Sequence, residues 1–197
     1  MTTHKDMKHF PGDNDRKWTV EQSEYLFRRP WLTVRRDSVH LPNGNQCPEY
    51  YVLEYPNWIN IIAIDKEGRM LMVRQYRHGL EVTRYELCAG VIDPTDACPM
   101  DAAKRELLEE TGYGNGTWEE LCVLGQNPGS MNNLTYSFLA RDVEPISKQH
   151  LEDTEDITFK LFEPHEVMEM LQSGYIIQAL HAAPLWKYFY NNRTQQQ

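Results

Sequence analysis

One segment in the middle of the chain constrains the fold more than any other. Residues 101–111, with the sequence DAAKRELLEET, consist almost entirely of strong helix formers. Pro99 suits the start of a helix, and Gly112 suits its end because glycine adopts the left-handed conformation of a helix cap most easily. The pattern therefore predicts a helix here, whereas the segments on both sides are typical of β-strands.

Strand-like segments precede and follow this helix. Residues 32–40 and 49–55 flank a Pro-Asn-Gly turn and predict a β-hairpin. Further strands or short extended pieces are predicted over 58–65, 69–76, 84–87, 90–92, 118–124, 134–142 and 158–162. Two more helices are predicted over 163–172 and 176–190. This order indicates an α+β fold in which a mixed β-sheet is sandwiched between helices (α/β/α), with the N-terminal antiparallel β-hairpin as a separate layer.

Charge and composition exclude several classes of protein. The chain of 197 residues carries 29 acidic and 20 basic residues, a formal net charge of −9. That balance argues against a nucleic acid polymer as partner, because a binder of the phosphate backbone needs a positive surface. No apolar run approaches the roughly 20 residues of a membrane span, and the N-terminus does not read as a secretory signal. Four scattered cysteines without zinc-site spacing favour free thiols, and hence a cytoplasmic location.

The predicted central helix carries three carboxylates on one side. Glu106, Glu109 and Glu110 stand at positions i, i+3 and i+4, which share a helix face, and Leu107 would point towards the core. Three neighbouring carboxylates repel one another, and a divalent cation that prefers oxygen ligands would offset that repulsion. A solvated acidic face is the plainer interpretation, because glutamate-rich helices are common. The residues around the helix decide between the two.

Those surrounding residues resemble the signature of the Nudix hydrolases, G-x5-E-x7-R-E-U-x-E-E-x-G-U, where U is a bulky apolar residue. Residues 105–113 match its second half, from Arg105 to Tyr113 and including Gly112. The first half departs from it. Asp96 takes the place of the first glutamate, and eight residues instead of seven separate it from Arg105. The loop that begins at Gly90 is thus one residue longer and its carboxylate one methylene shorter than the family pattern.

Segments outside the signature resemble the ADP-ribose pyrophosphatase branch of the family. Residues 73–77, VRQYR, and 85–90, YELCAG, are similar to its V-x-Q-Y-R and E-x-P-A-G segments, with Cys88 in place of the usual proline. Residues 127–130, NPGS, resemble its substrate loop, and 155–157, EDI, resemble the acidic loop before its last strand. The likeness extends over about residues 18 to 190.

The resemblance implies a division of the chain and an assembly. The expected parts are a flexible N-terminus over 1–17, a β-rich dimerisation and substrate-capping region over 18–56, the Nudix hydrolase domain over 57–191 and a C-terminal tail over 192–197. In this branch the N-terminal hairpin commonly exchanges between two subunits. We therefore expect a homodimer with a swapped hairpin, and Trp18, Phe27 and Trp31 would suit its interface.

The resemblance also implies a metal-dependent reaction on a small nucleotide sugar. Enzymes of this type hydrolyse the pyrophosphate bond of a nucleoside diphosphate linked to another group, and ADP-ribose or an ADP-sugar would give AMP and a sugar phosphate. The implied cofactor is Mg²⁺, with Mn²⁺ as a substitute, because such ions neutralise phosphate charge and acidify water. The implied metal-binding residues are Glu106, Glu110, Glu109, which would bind the metal or orient the attacking water, and the backbone carbonyl of Ala89. Arg105 would hold the glutamates in place, or would form only a surface ion pair.

The general base is implied to come from the late acidic loop. Glu155 is the first choice, followed by Asp153 and Glu152. A simply solvated acidic loop is the alternative for this stretch.

Three further residues are candidates for holding the substrate. Arg77 would grip a phosphate, because a guanidinium can bond two phosphate oxygens at once. Glu86 would contact a metal on the second phosphate or the terminal ribose, or would be a salt-bridged strand residue. Trp31 would stack on the nucleobase, with Tyr50 as a looser second choice, and is otherwise a core or interface residue. Stacking accepts any base and does not select adenine.

Other functions fit the same signature. A Nudix hydrolase of GDP-mannose, UDP-sugars or dinucleoside polyphosphates is compatible with it, because the selecting contacts lie outside the motif. A non-catalytic Nudix module that senses a nucleotide is the alternative of another class, and the altered loop at Asp96 keeps it open. An acidic scaffold without a ligand is disfavoured by the arrangement of charges on the helix.

Overall fold

The computed structural model describes residues 10–13 and 15–194. Residues 1–9 and 14 of the expected flexible N-terminus, and residues 195–197 of the expected tail, lie outside the described residues. The chain divides into two compact units. The first extends to Asn57 and includes Gly125–Leu134, whereas the second comprises Trp58–Leu124 and the residues from Thr135 onwards.

The first unit contains a three-stranded antiparallel sheet. Its strands are β1 (Thr19–Arg29), β2 (Leu32–His40) and β3 (Gln46–Glu54), in the order β1-β2-β3. The predicted hairpin corresponds to β2 and β3, and β1 is a third strand inside the expected β-rich region 18–56, whose bounds were not predicted. Every residue of β1 is exposed, so the strand has no inward-facing row of apolar residues to produce the alternation by which strands are recognised.

The segment Gly125–Leu134 belongs to the first unit and pairs with β3. Leu53 donates its backbone N–H to the carbonyl of Ser130 at 2.7 Å and accepts from the N–H of Asn132 at 3.4 Å. The Tyr50 hydroxyl donates to the carbonyl of Gly129 at 2.5 Å. Two segments of chain that are distant in sequence thus satisfy each other's backbone groups.

The second unit is built on an eight-stranded mixed sheet with helices. Its strands are β4 (Trp58–Asp65), β5 (Met70–Arg77), β6 (Val82–Glu86), β7 (Cys88–Val91), β8 (Tyr113–Gly114), β9 (Thr117–Gly125), β10 (Leu134–Pro145) and β11 (Thr158–Phe162), and its helices are α1 (Pro99–Thr111), α2 (Pro164–Gln172) and α3 (Ala179–Thr194). The main strand order is β11-β5-β4-β10-β8, while β6 pairs with β5, β7 with β4 and β9 with β10. β4 and β10 are parallel, and the other characterised pairs are antiparallel.

Strand β4 is almost continuously apolar because it lies in the core of the second unit. Its residues from Ile59 to Asp65 are all buried, as expected for a strand covered on both faces. Ile62 packs with Val167 of α2 and Leu185 of α3, and helix α1 contacts β4 and β7. The expected α+β fold, a mixed sheet with helices and a separate N-terminal antiparallel layer, is confirmed.

Local chemistry sets the ends of α1. Pro99 occupies the first turn, and Gly112 caps the helix with a left-handed φ of 75° while its N–H bonds the carbonyl of Leu108. The helix begins two residues before the predicted Asp101. Helix α3 is shifted by three or four residues from its predicted bounds, to Ala179–Thr194.

Two other expectations can be compared with the structure. The four cysteines are free thiols in the part of the chain that is described. No helix among the described residues combines the length and the apolar character that crossing a membrane requires.

Candidate active site

Helix α1 brings its three glutamates to unequal environments. Ala103 and Leu107 are completely buried and anchor the helix. Glu109 is the most exposed of the three carboxylates, with a side chain 42% accessible, whereas Glu110 is only 2% exposed. The exposure of the three carboxylates, which were predicted to share one helix face, therefore ranges from Glu109 near solvent to Glu110 in the interior.

Glu110 has an unpaired oxygen in a buried position. Its Oε2 has no hydrogen-bond partner. The rest of the carboxyl group is hydrogen-bonded by the Cys88 side chain and by the backbone of Ala89. Burial is the main cause that raises the pKa of Glu110 to about 8. An unsatisfied buried carboxylate is costly, and a cation is one way to satisfy it.

Glu106 lies directly against the backbone of β7. A Cβ atom at Gly90 would lie 2.1 Å from its carboxyl carbon, so any other residue at this position would force the Glu106 side chain to move. Burial raises the pKa of Glu106 to about 7, against the opposing effect of Arg105. Gly90 is needed here for close approach of a side chain, not for an unusual backbone angle.

Arg105 is the hub of the cluster. Its Nη1 donates to Glu106 Oε1 and to Glu109 Oε2, each at 2.9 Å. Its Nε and Nη2 donate to the two carboxylate oxygens of Asp96 at 3.2 and 3.1 Å, and Nη2 also reaches the carbonyl of Val91 at 3.0 Å. These bonds raise the pKa of the guanidinium further above its ordinary value. Such a network is more constrained than an isolated surface ion pair.

The altered signature loop still meets this hub. Asp96 also accepts the backbone N–H of Asp93 at 2.8 Å, which closes the loop as a turn. The hydrogen bond with Arg105 holds the pKa of Asp96 below its usual value. The shorter carboxylate on the longer loop therefore reaches the arginine.

The donor set suits a hard divalent cation. The residues that could hold one are Glu106, Glu109 and Glu110, together with the backbone carbonyl of Ala89, and all of them offer oxygen. Within residues 10–13 and 15–194, no three acidic, histidine or cysteine side chains converge as metal ligands do. Arg105 occupies oxygens of Glu106 and Glu109, so these carboxylates would have to turn towards a cation.

A cavity of about 390 Å³ opens beside Glu110. Its walls come from β5, β7, α1 and the acidic loop, through Gln75, Tyr76, Arg77, Ala89, Glu110, Thr154, Glu155, Asp156 and Ile157. Glu155 is half-buried, and its charge contributes to the raised pKa values of both Glu106 and Glu110. Glu152 and Asp153, the other candidates for the base, are exposed and do not line the cavity.

Arg77 and Glu86 form an ion pair at this cavity. Arg77 lines the cavity and is partly exposed, while Glu86 is buried and is not among the lining residues. The carboxylate accepts from both Nε and Nη2 of the arginine. Burial raises the pKa of Glu86, and Arg77 opposes that shift.

Trp31 and Tyr50 lie in the first unit, whereas the other candidate site residues lie in the second. Trp31 follows β1 in the tight turn to β2 and is 71% exposed, so it is not a core residue of this chain. Tyr50, the second choice, donates its hydroxyl to the carbonyl of Gly129, and its ring forms a T-shaped pair with that of Trp18.

Two features of the cavity were not identified from the sequence. Gln75 and Tyr76 line it but were not proposed as site residues. Their place in the VRQYR segment, directly before Arg77, could have indicated them. Thr154 also lines the cavity, and no pattern in the acidic loop distinguishes it from its neighbours.

The comparisons with known proteins agree with this architecture. A model of the Nudix domain matches residues 55–180, and a model of the nucleoside diphosphate sugar hydrolase N-terminal domain matches residues 18–53. The chain is 30% identical over 162 residues to the ADP-ribose pyrophosphatase of Mycobacterium tuberculosis, which covers 82% of this chain and 78% of that protein. It is 31% identical over 167 residues to the GDP-mannose pyrophosphatase of Salmonella arizonae, which covers 83% of each.

A solved structure supports the fold. The crystal structure of an ADP compounds hydrolase superposes with a TM-score of 0.79 at 22% identity, covering 91% of this chain and 96% of that one. The Nudix domain match alone spans well over half of the chain. The chain therefore belongs to the Nudix family of pyrophosphohydrolases, and it carries the N-terminal domain of the nucleoside diphosphate sugar hydrolases.

Proposed function

We propose that the protein hydrolyses the pyrophosphate bond of ADP-ribose or an ADP-sugar, giving AMP and a sugar phosphate. The observation that carries the proposal is the group of Glu106, Glu109 and Glu110 around Arg105, next to a cavity that also contains Glu155. A pyrophosphate bond resists attack because its oxygens are negative, and this group can hold the cation that offsets the charge.

Glu106, Glu110 and the carbonyl of Ala89 are the proposed metal ligands, with Glu109 as a further ligand or as the residue that orients the attacking water. The proposed ion is Mg²⁺, or Mn²⁺ in its place. Bound there, the cation neutralises phosphate charge and makes water easier to deprotonate. The unpartnered Oε2 of Glu110 and the all-oxygen donor set support this assignment.

Arg105 has the role of holding the glutamates apart and oriented. Its hydrogen bonds to Glu106, Glu109 and Asp96 fix three carboxylates around its guanidinium group. Gly90 leaves the space that Glu106 occupies, and Gly112 ends the helix so that the chain can turn back.

Glu155 is the proposed general base, which takes a proton from the attacking water. It is the only one of the three candidates among the residues that line the cavity. Glu155→Gln should reduce kcat by about 100-fold or more, because general-base catalysis contributes on this scale. Asp153→Asn is the matched control, since it removes a neighbouring exposed charge, and it should leave kcat within about twofold. Equal losses in the two variants would reject Glu155 as the base.

Arg77, Glu86 and Trp31 are proposed to hold the substrate. Arg77 lines the cavity and would bind a phosphate, while Glu86, which accepts hydrogen bonds from Arg77, would contact a metal on the second phosphate or the terminal ribose. Trp31 would stack on the nucleobase, and its exposure leaves an aromatic face free for this.

Arg77→Ala should raise KM, and Trp31→Phe should weaken nucleotide binding in a fluorescence titration.

A homodimer is proposed, in which residues 18–56 dimerise and cap the substrate and residues 57–191 carry the reaction. Its support is the exposure of every residue of β1, including the apolar side chains of Val20, Leu26 and Phe27. Light scattering at micromolar concentration should give twice the chain mass. A monomer mass would contradict this assembly.

The substrate is tested by a phosphate-release panel. Purified protein with Mg²⁺ or Mn²⁺ and a coupling phosphatase would be assayed against ADP-ribose, ADP-glucose, GDP-mannose, UDP-glucose, NADH and diadenosine polyphosphates, with Glu109→Gln as the blank. ADP-ribose turned over fastest, and not in the blank, is the expected result. GDP-mannose is the second candidate, because the relative from Salmonella arizonae is a GDP-mannose pyrophosphatase. No metal-dependent turnover of any compound would favour a nucleotide sensor instead.

A further inference from the structure

The end of helix α1 is closed by the chain segment that leads into the acidic loop. A helix leaves its last carbonyl groups without partners inside the helix. Here the carbonyl of Glu109 accepts the N–H of His150 at 2.8 Å, and the carbonyl of Gly112 accepts the N–H groups of Ile146 and Ser147. The segment from Ile146 to His150 is therefore fixed to the end of the helix by its backbone.

Gln149 adds a side-chain link at this place. Its Nε2 donates to the carbonyl of Glu110 at 2.6 Å and to the carbonyl of Ile157 at 2.9 Å. The two hydrogens of one amide group thus join the last turn of α1 to the residue that follows the acidic loop. Gln149 is only half-buried, whereas Ile157 is buried and lines the cavity beside Glu110.

The acidic loop, between His150 and Ile157, is consequently held at both of its ends against helix α1. His150 bonds the peptide carbonyl of Glu109 at the start of the loop, and Gln149 connects its far end to the peptide carbonyl of Glu110. Between these anchors the tip bonds itself, since the N–H of Glu152 donates to Glu155 Oε2 at 2.9 Å. The hydrogen bonds of Gln149 and His150 therefore hold the two ends of the loop, whereas the tip is held by hydrogen bonds within the loop.

We propose that Gln149 is a positioning residue: its amide fixes the end of the acidic loop to α1 and thereby sets where the Glu155 carboxylate lies relative to Glu106 and Glu110. The inference rests on the proposed function, because it assigns Glu155 a part in the reaction. Small displacements of a catalytic group cost large factors in rate, so the loss of one link at the base of this loop should be measurable.

Gln149→Met removes the amide at nearly constant size, and Gln149→Glu keeps the length but removes the donor. Gln172→Met is the matched control, because Gln172 is an exposed glutamine at the end of α2. Hydrogen exchange should rise several-fold in peptides covering 150–157 in both Gln149 variants, and peptides covering β4 should be unchanged. Unchanged exchange over 150–157 would overturn the link, whatever the substrate of the enzyme is.

Kinetics with the best substrate of the panel separate positioning from a general structural effect. Gln149→Met should lower kcat about tenfold and change KM by less than about threefold. In the Glu155→Gln background the same substitution should cost almost nothing further, because residues that act as a unit are non-additive. An equal additional loss in that background would overturn a role through Glu155. Absence of turnover by the unaltered protein would reject the proposed function, and the exchange measurement would still decide whether Gln149 holds the loop.

Discussion

The sheets of the two units differ in what holds them together. In the second unit, β4 and the first half of β5 are buried, and their apolar side chains pack with α2 and α3. In the first unit, all of β1 is exposed, and Arg36 of β2 reaches Glu24 and Glu49 on the strands at either side. One sheet is stabilised by a core, whereas the other depends on its backbone ladder and on surface ion pairs.

This difference indicates where the protein can tolerate change. A small sheet with few buried apolar residues is marginal in water. In the first sheet Val39 is buried but all of β1 is exposed, so this sheet gains most from being covered by another surface. The second sheet is stabilised by its own core, and helix α1, which contacts it, carries the charged site. The predictions below test this division, beginning with the largest expected effect.

Glu110→Gln should separate function from stability. Removing the buried carboxylate should lower turnover about 100-fold or more, since interactions that offset charge in the transition state contribute on this scale. The folded state should be preserved, because the amide that replaces the carboxylate is neutral and close to it in size. Glu169→Gln on the exposed side of α2 is the control. Full activity of the Glu110 variant would remove this residue from the proposed metal site.

Leu107→Ala and Phe27→Ala should differ in their effect on the free energy of unfolding. Leu107 is completely buried, and its truncation should cost about 2–5 kcal/mol. Phe27 is 55% exposed, and its truncation should cost less than about 0.5 kcal/mol when the protein is dilute. Urea unfolding at two protein concentrations measures both. A cost for Phe27→Ala that grows with concentration would indicate the proposed dimer interface.

Acid should destabilise the second unit through His181. This residue is buried, and its Nδ1 accepts the N–H of Leu87 at 3.1 Å. Burial lowers its pKa from 6.5 to about 3, so the folded state binds fewer protons than the unfolded state between these values. The contribution of neutral His181 to the free energy of unfolding is complete above about pH 6.5. It is lost as the pH falls towards 3, by at most about 1.4 kcal/mol per pH unit.

The variant His181→Asn tests that assignment. The asparagine could still accept the Leu87 N–H but would not titrate, so the dependence of Tm on pH below 6.5 should flatten. His165→Asn, at an exposed position on α2, should retain the acid dependence of the unaltered protein. The same slope in all three proteins would exclude His181 as its source.

Arg36→Gln should have the smallest effect. Its ion pairs with Glu24 and Glu49 are on the surface, where solvent and salt screen them. A slightly lower Tm at low ionic strength, which disappears in high salt, is the expected result. A large loss that persists in salt would show that this arginine contributes packing to the first sheet as well as charge.

The sequence predicts an element best where local chemistry decides it. Helix α1 was predicted from Pro99 and Gly112, and both occupy the positions that their backbone preferences favour. The bounds of strand β1 were not predicted, because it is exposed along its whole length and an exposed strand leaves no periodic pattern. In the eight-stranded sheet, the continuous apolar run of β4 was recognised, whereas the two-residue strand β8 is too short to leave a pattern and was not predicted.

The sequence predicted which residues form the site but not how deeply each of them is buried. Spacing on a helix indicates which carboxylates share a face, yet it does not show that Glu110 is interior while Glu109 is near solvent. Likewise, counting residues revealed a longer loop at Asp96 but not that its shorter carboxylate still reaches Arg105. Gln149 had no signal at all, because its role depends on two carbonyl groups that only the folded chain brings near it.

The pairing of residues 130–132 with β3 has a consequence for how the protein can be shortened. A chain that starts at Trp58 would keep the whole eight-stranded sheet, and in linear order it would look like a complete catalytic domain. It would also keep a ten-residue insertion, Gly125–Leu134, whose backbone partners at Leu53 had been removed. Truncation libraries and fusion proteins should therefore treat the first 57 residues and this insertion as one part, to be kept or replaced together.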